Sequence, residues 1–359
     1  MPNYFESGFF AREPAWHGLG TLIPRPVPSY EALELSGLDW DVELQSKFLE
    51  GEEKMLYEWD EEAEDHVPVL VKTLGQRVPK DFSVVRKTDG HILGRSVGAV
   101  YSTIQNTEGF KFLDSLVDDD LILYEAAGSL KGGSKVWMLA RIEGEPYRVK
   151  GVDDVVPYLL ATNSHDGQSS FRVFPTAVRV VCANTLSLAL SQRGDRGISI
   201  RHSGDINRKI DEAKMVFGEA QKRFEQFCRQ AELLAQRTLT GEELETFVNA
   251  LYPSKEPVSR KVDANREQFY EEFAGGDGEH TITALEGTAW DAFNAVTRLT
   301  NHVRRPKISK DQTKTEEVYR DARFDGLFFG SGNELNQKAL LYLTTLASGK
   351  DPSNILATL

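Results

Sequence analysis

At 359 residues the chain is longer than one hydrophobic core usually supports, and 40% apolar with 27% charged residues is the make-up of a protein that buries a core, not of a disordered one. No run reaches the ~18 uninterrupted apolar residues of a membrane helix, and the start, MPNYFESGFF, lacks the basic segment of a signal peptide, so a cytoplasmic protein with no membrane partner is expected. A formal net charge of −13 argues against a phosphate-binding surface spread over the whole chain.

Residues 1 to 30 carry Pro14, Gly18, Gly20, Pro24, Pro26 and Pro28, which excludes a regular helix or central strand and predicts an extended arm with Trp16 packed on the body or on a neighbouring subunit. Ser29 to Ser36 reads as a short helix, capped by Ser29 and stopped by Gly37. Alternation predicts strands over Trp40 to Phe48 and Val67 to Lys72, with EGEEKMLYEWDEEAEDH between them as an acidic insertion tip. A hairpin follows: Phe82, Val84 and Val85 lead into Asp89-Gly90, and Ile92 to Tyr101 returns. Asn106 caps a helix with Phe110, Phe112, Leu113 and Leu116 on one stripe. Leu121 to Ala127 and Lys135 to Ile142 form another hairpin about the turn Gly128 to Gly133, with Val136, Met138 and Ala140 on one face and Trp137, Leu139 and Arg141 on the other.

The stretch LLATNSHDGQSSFRVFPTAVRVVCANTLSLALSQ, Leu159 to Gln192, reads as two strands joined at the polar turn Asn163 to Ser170 and feeding a helix that starts between Val178 and Asn184. Beyond it the period changes to three and four residues. Helices are expected over Asp205 to Gln236, from Thr240 (with Glu243 placed for a capping box) to before Pro253, over Val258 to Phe273, over Thr288 to Val303 and over Asn333 to Leu346. The fold class is therefore α+β: an antiparallel sheet of β-hairpins with packed helices over residues 1–203, then a C-terminal helical region over residues 204–359.

Covalent chemistry is not written in these residues. His165-Asp166 is a metal-binding dipeptide of helical hydrolases, but here it falls in a turn with no second histidine cluster. Cys182, His165 and Asn184 are the residue types of a thiol site, yet a cysteine between Val181 and Ala183 reads as core, as does Cys228. The turn Gly128 to Gly133 with Lys131 lacks the helix and the Lys-Ser/Thr of a phosphate loop. No catalytic residue, metal or cofactor is assigned.

What remains is a surface. Residues 126–214 hold thirteen basic and nine acidic side chains, +4, which leaves −17 for everything else. Such asymmetry points to an anionic partner at the basic part. Single-stranded nucleic acid is held by a basic groove with aromatic platforms. The candidate binding residues are Lys131, Lys135, Arg141, Arg172, Arg179, Arg201 and Arg208 for phosphates, and Trp137 and Phe171, with Tyr101 and Phe174 near them, for stacking.

Several separated pieces carry a resemblance: AREPAWHGLG, VGAVYSTIQNTEGFKFLDSL, AAGSLKGGSKVWMLARI, TNSHDGQSS, VRVVCANTLSLAL, TAWDAFNAVT and FGSGNELNQKAL. Together they resemble the phage- and plasmid-encoded family filed as domain of unknown function nine-three-two. The resemblance implies a mobile-element gene, hence the host cytoplasm, and carries no activity. More distantly, hairpins followed by a helix resemble the core of single-strand annealing proteins of the Rad-fifty-two type, which form rings or filaments and bind single strands between sheet and helix. That resemblance implies a homo-oligomer that binds and anneals single-stranded DNA in recombination or DNA maintenance. The alternative is a protein-interaction module or host-enzyme inhibitor that uses its acidic surface, above all Glu50 to Asp65, as a nucleic-acid mimic for a host protein partner.

Overall fold

The computed structural model describes residues 5–11, 20–116, 122–179, 184–187, 198–202, 210–254, 258–276, 282–303 and 331–353. Its main sheet has nine strands: β1 (Phe5–Ala11), β2 (Thr21–Ile23), β6 (Ile122–Leu130), β7 (Lys135–Ile142), β8 (Tyr147–Val149), β9 (Asp153–Ser164), β10 (Phe171–Arg179), β11 (Asn184–Ser187) and β12 (Ile198–Ile200). The order is β11-β10-β9-β7-β6-β1-β2, with β12 also on β10 and β8 on β9. Every pairing is antiparallel except β1 with β2. A second sheet of three strands is formed by β3 (Val42–Asp60), β4 (Asp65–Arg86) and β5 (Ile92–Gly98). The chain is thus α+β, built of hairpins with helices packed on them and a helical C-terminal region.

Alternation explains the centre of the sheet. On β7, Val136, Met138 and Ala140 enter one core while Trp137 and Leu139 enter another, so both faces are buried and the strand must be central. The first core is covered by α1 (Ser29–Leu35) and α2 (Asn106–Asp114), whose Ala32, Phe110, Phe112 and Leu113 meet Phe9, Tyr124, Met138 and Phe171. The second face gathers Phe10, Trp137, Leu139, Tyr158 and Leu160.

The helical region comprises α3 (Ile210–Gln236), α4 (Gly241–Leu251), α5 (Arg260–Phe273), α6 (Ala289–Arg298), a π-helical turn Leu299–Val303 and α7 (Ser331–Ala347). Its core joins the sheet through Val149, Val155 and Ala177. Thr240 Oγ1 accepts from Glu243 N and Glu243 returns a carboxylate to Thr240 N, the capping box expected from the sequence. No helix among the described residues is long and apolar enough to cross a membrane.

Three expectations are corrected. Phe5–Ala11 is not part of a loose arm but a strand held between β6 and β2, with Phe9 and Phe10 buried; the excluding prolines all come later, and Trp16 lies outside the described residues. The acidic stretch Glu50 to Asp65 is not an insertion between strands: it is paired ribbon almost to its end, from Glu53 opposite Lys72 to Asp60 opposite Asp65. Asn184–Ser187 is a strand on Thr176–Arg179 and not a helix start. Smaller shifts occur at two caps, where Pro28 and Gln105 stand in place of Ser29 and Asn106.

Candidate functional site at one end of the sheet

The motif Thr162 to Ser170 ends β9, turns and starts β10, and the turn is local chemistry. Asp166 accepts from Ser164 Oγ and from Gln168 N (2.9 Å), and Gly167 takes φ +74°, a conformation that favours glycine. Around it the two sheets are knitted together. His165 N donates to Ser134 O (2.8 Å), Ser134 Oγ to Leu93 O (3.0 Å), Tyr101 Oη to Ser164 O (3.2 Å) and Asn163 Nδ2 to Ile104 O (2.9 Å). Strand β5 approaches so closely that a Cβ on Gly94 would stand 2.5 Å from the His165 carbonyl oxygen and 3.2 Å from Asp166 Cα. Both are backbone atoms that cannot swing aside. Gly94→Ala is therefore expected to cost about 1–3 kcal/mol of unfolding free energy in urea titration, while Gly98→Ala on the same strand, with open space around it, stays near wild type.

Beneath the turn, His165 is fully buried. Its Nε2 lies 3.0 Å from Asn106 Oδ1, and Asn106 Nδ2 donates to Leu38 O (3.0 Å). That orientation makes Nε2 the donor and leaves Nδ1, among the described residues, without a hydrogen-bond partner. Burial is the main cause that lowers the imidazole pKa to about 3, with the charge of His202 adding to it and Asp166 opposing. Trp40 packs on this ring at 5.4 Å and also meets the Arg86 guanidinium at 5.2 Å. Arg86 is neutralised in place, by Glu6 (Nη1, 2.6 Å) and by both oxygens of Asp89 (Nε 3.0 Å, Nη2 2.7 Å). The reciprocal effect holds Asp89 down to about 2.

Four of the sequence-derived cations are brought to this end. Lys131 lies in the β6–β7 turn, Lys135 opens β7 opposite Ser164, Arg172 is on β10 opposite Thr162 and Ser199, and Arg201 follows β12, whose Ile200 pairs with Phe171. The first three are half-exposed and Arg201 is exposed. Lys135 Nζ stands 3.7 Å from Asp166 Oδ2 and 3.4 Å from Ser169 Oγ. The others are not with them. Arg141 sits at the far end of β7 between Glu125 (3.8 Å) and Glu143 (3.5 Å), and Arg179 at the far end of β10 opposite Val155. Arg141 is six residue steps along the strand from Lys135, roughly 20 Å. Arg208 lies outside the described residues. The cations therefore do not line one groove across the sheet.

The stacking role expected of Trp137 and Phe171 is corrected. They are 2% and 0% exposed, packed against Phe10 at 5.6 Å and Phe112 at 5.4 Å, because both faces of these strands are core. Tyr101 is stacked on His202 at 4.9 Å. A base cannot reach a ring that the fold has already covered. The Asn106–His165–Trp40–Arg86 chain was not read from the sequence, where its members are 125 residues or fewer apart but never adjacent; the one signal was asparagine and histidine amid apolar runs.

Among the described residues no group of three or more His, Cys, Asp and Glu side chains could hold a metal ion. Cys228 is buried, which pushes its thiol up to about 12, and Cys182 lies outside the described residues. The arrangement is an α+β sheet with a polar, partly cationic end. The chain belongs to the family described as Domain of unknown function (DUF932), whose model matches residues 94–324 and so takes in this end together with most of the helical region. No curated protein and no solved structure matched it.

Proposed function

We propose that the protein, the product of a phage or plasmid gene, binds single-stranded DNA through its phosphates at this end of the sheet and acts as a homo-oligomer in strand annealing or DNA maintenance. The observation that supports the reading is the gathering of Lys131, Lys135, Arg172 and Arg201 from separate elements beside the hydroxyls of a polar turn. With Trp137 and Phe171 inside the core, the strand is gripped by its backbone alone. Base edges then stay free to pair, which is what annealing needs. Covalent chemistry and a cofactor have no part in this mechanism.

Fluorescence anisotropy with a labelled oligo-dT tests it. Four neutralised phosphates give a slope of about −3 in log K against log salt, so a fourfold rise in salt should weaken binding roughly 50-fold. Lys135→Glu with Arg172→Glu should abolish it, whereas absence of binding by the wild-type chain at low salt removes the reading. A second reading, a protein-interaction module whose acidic surface imitates nucleic acid, is favoured by the β3–β4 ribbon, where Tyr57, Trp59 and Leu70 stand 68%, 59% and 59% exposed beside a row of carboxylates.

A further inference from the structure

Strand β5 pairs with β4 from Asp81 to Val85, and beyond Phe48 and Arg77 no third strand joins the β3–β4 ribbon among the described residues. The ladder is regular from Glu53 opposite Lys72 to the last pair, Asp60 with Asp65, a straight length of about 23 Å. Isolated two-stranded ribbons are marginal in water, and a side-chain face this bare is uncommon without an occupant. One face carries Met55 opposite Leu70, Tyr57 opposite Pro68 and Trp59 opposite His66, with Met55 55% exposed. Around its end stand Asp60, Glu61, Glu62, Glu64 and Asp65, none of them in an ion pair among the described residues. From residue 48 to residue 76 there are nine acidic and two basic side chains, net −7, and both lysines already face Glu50 or Glu52 within the ribbon.

The edges of the ribbon are not the docking surface. Pro68 and Pro79 interrupt the donors of β4, and glutamates line β3, which are the usual guards against strand addition. The face is what is offered, and its complement is apolar with a rim of cations.

We infer that the ribbon of one molecule docks on the cationic sheet end of a second copy, which carries Lys131, Lys135, Arg172 and Arg201 and, one residue from the approach of His91 to Gly132 and two from the Ser102 N to His202 O hydrogen bond, the exposed apolar Ile92 and Val100. Ile92 and Val100 are 55% and 84% exposed, and β5 lies directly on the His165 turn. A contact of this kind is heterologous, ribbon of one copy to sheet end of the next, and propagates to a ring or a filament. The inference rests on reading the sheet end as an anion-binding surface, and it makes the ribbon a competitor of single-stranded DNA there.

Sedimentation velocity of the full chain at low and high salt tests it without DNA. Wild type should associate at low salt and dissociate at high salt. Replacing Asp60, Glu61, Glu62, Glu64 and Asp65 by lysine should weaken association at least ten-fold, and so should Lys131→Glu, Lys135→Glu and Arg172→Glu together. Mixing the two reversed variants should restore it, because a basic ribbon then meets an acidic end; a misfolded variant could not be rescued. Wild type that stays monomeric at low salt, or reversed variants that associate as wild type does, overturns the inference. A monomer that binds oligo-dT overturns it and keeps the DNA-binding part of the proposed function, without the homo-oligomer. A chain that associates with charge-swap rescue supports it, and the DNA reading falls if the ribbon-reversed variant, whose sheet end is left uncovered, ignores oligo-dT as well.

Discussion

Acidifying the protein from pH 6.5 toward pH 4.5 is expected to lower its unfolding free energy by up to about 1.4 kcal/mol per pH unit, and His165→Gln is expected to flatten that slope. The folded chain holds His165 neutral down to about 3, while the unfolded chain protonates it near 6.5. The unfolded state therefore binds the extra proton throughout the window. Stability contributed by the neutral imidazole is complete above 6.5 and lost as the pH falls toward 3. Asp89, held down to about 2 by Arg86, loses its stabilisation in the same direction but only below its ordinary 3.8, which leaves the upper window to the histidine. Glutamine keeps an amide donor for Asn106 Oδ1 and has no proton to gain. Urea titrations of both chains at half-unit steps of pH measure the difference, and equal slopes would sink the assignment.

Trp290→Ala should be among the most damaging single changes, with a loss of about 3–5 kcal/mol from the cavity alone. The indole is fully buried on α6, packed on Phe227 (6.0 Å) and Phe293 (5.7 Å). Its Nε1 donates to Oδ2 of Asp153 at 2.8 Å, and Asp153 is itself fully buried at the start of β9. Removing the ring withdraws a donor from a carboxylate that has lost most of its water, a further cost of about 1–3 kcal/mol. Trp290→Phe separates the two effects: it keeps most of the volume and gives up the hydrogen bond, so it should fall by the smaller amount. Should Trp290→Phe match Trp290→Ala, the hydrogen bond and not the packing holds the helical region to the sheet.

Where local chemistry decides structure, the sequence was legible. Asp-Gly at 89–90 and 166–167 marks real hairpin turns, Thr240 and Glu243 form the capping box, and the two faces of β7 divide as their alternation says. Elsewhere the signal was either misread or missing. Leu186 and Leu188 recur at the two-residue step of a strand, and Asn184 in front of them was given too much weight as a cap. The β3 half of the acidic ribbon is exposed on both faces, so no burial pattern betrays it; Tyr57 and Trp59 are strand formers by propensity, diluted among glutamates, whereas the alternation of Val67 to Lys72 did mark its strand in β4. For the cationic end, charge could offer candidate residues but could not say which ends of their strands they occupy. Aromatics in strands were offered as platforms, and a sheet buried on both faces had already claimed them.

The antiparallel partner of Phe5–Ala11 is Ile122–Leu130, with Phe9 opposite Ala127, so the first described strand is synthesised more than a hundred residues before its partner. On the ribosome it must wait, with Phe9 and Phe10 in water, until the β6–β7 hairpin has emerged to receive it. The ribbon and the β3–β5 sheet can pair as soon as they are made, since their partners are neighbours in the chain. Completion of the main sheet is therefore a late event of high contact order, governed by loop closure and not by local propensity. A nascent chain of this protein carries two exposed phenylalanines for most of the time it takes to make the first third of it, which makes early strand capture the step most open to chaperones or to mispairing.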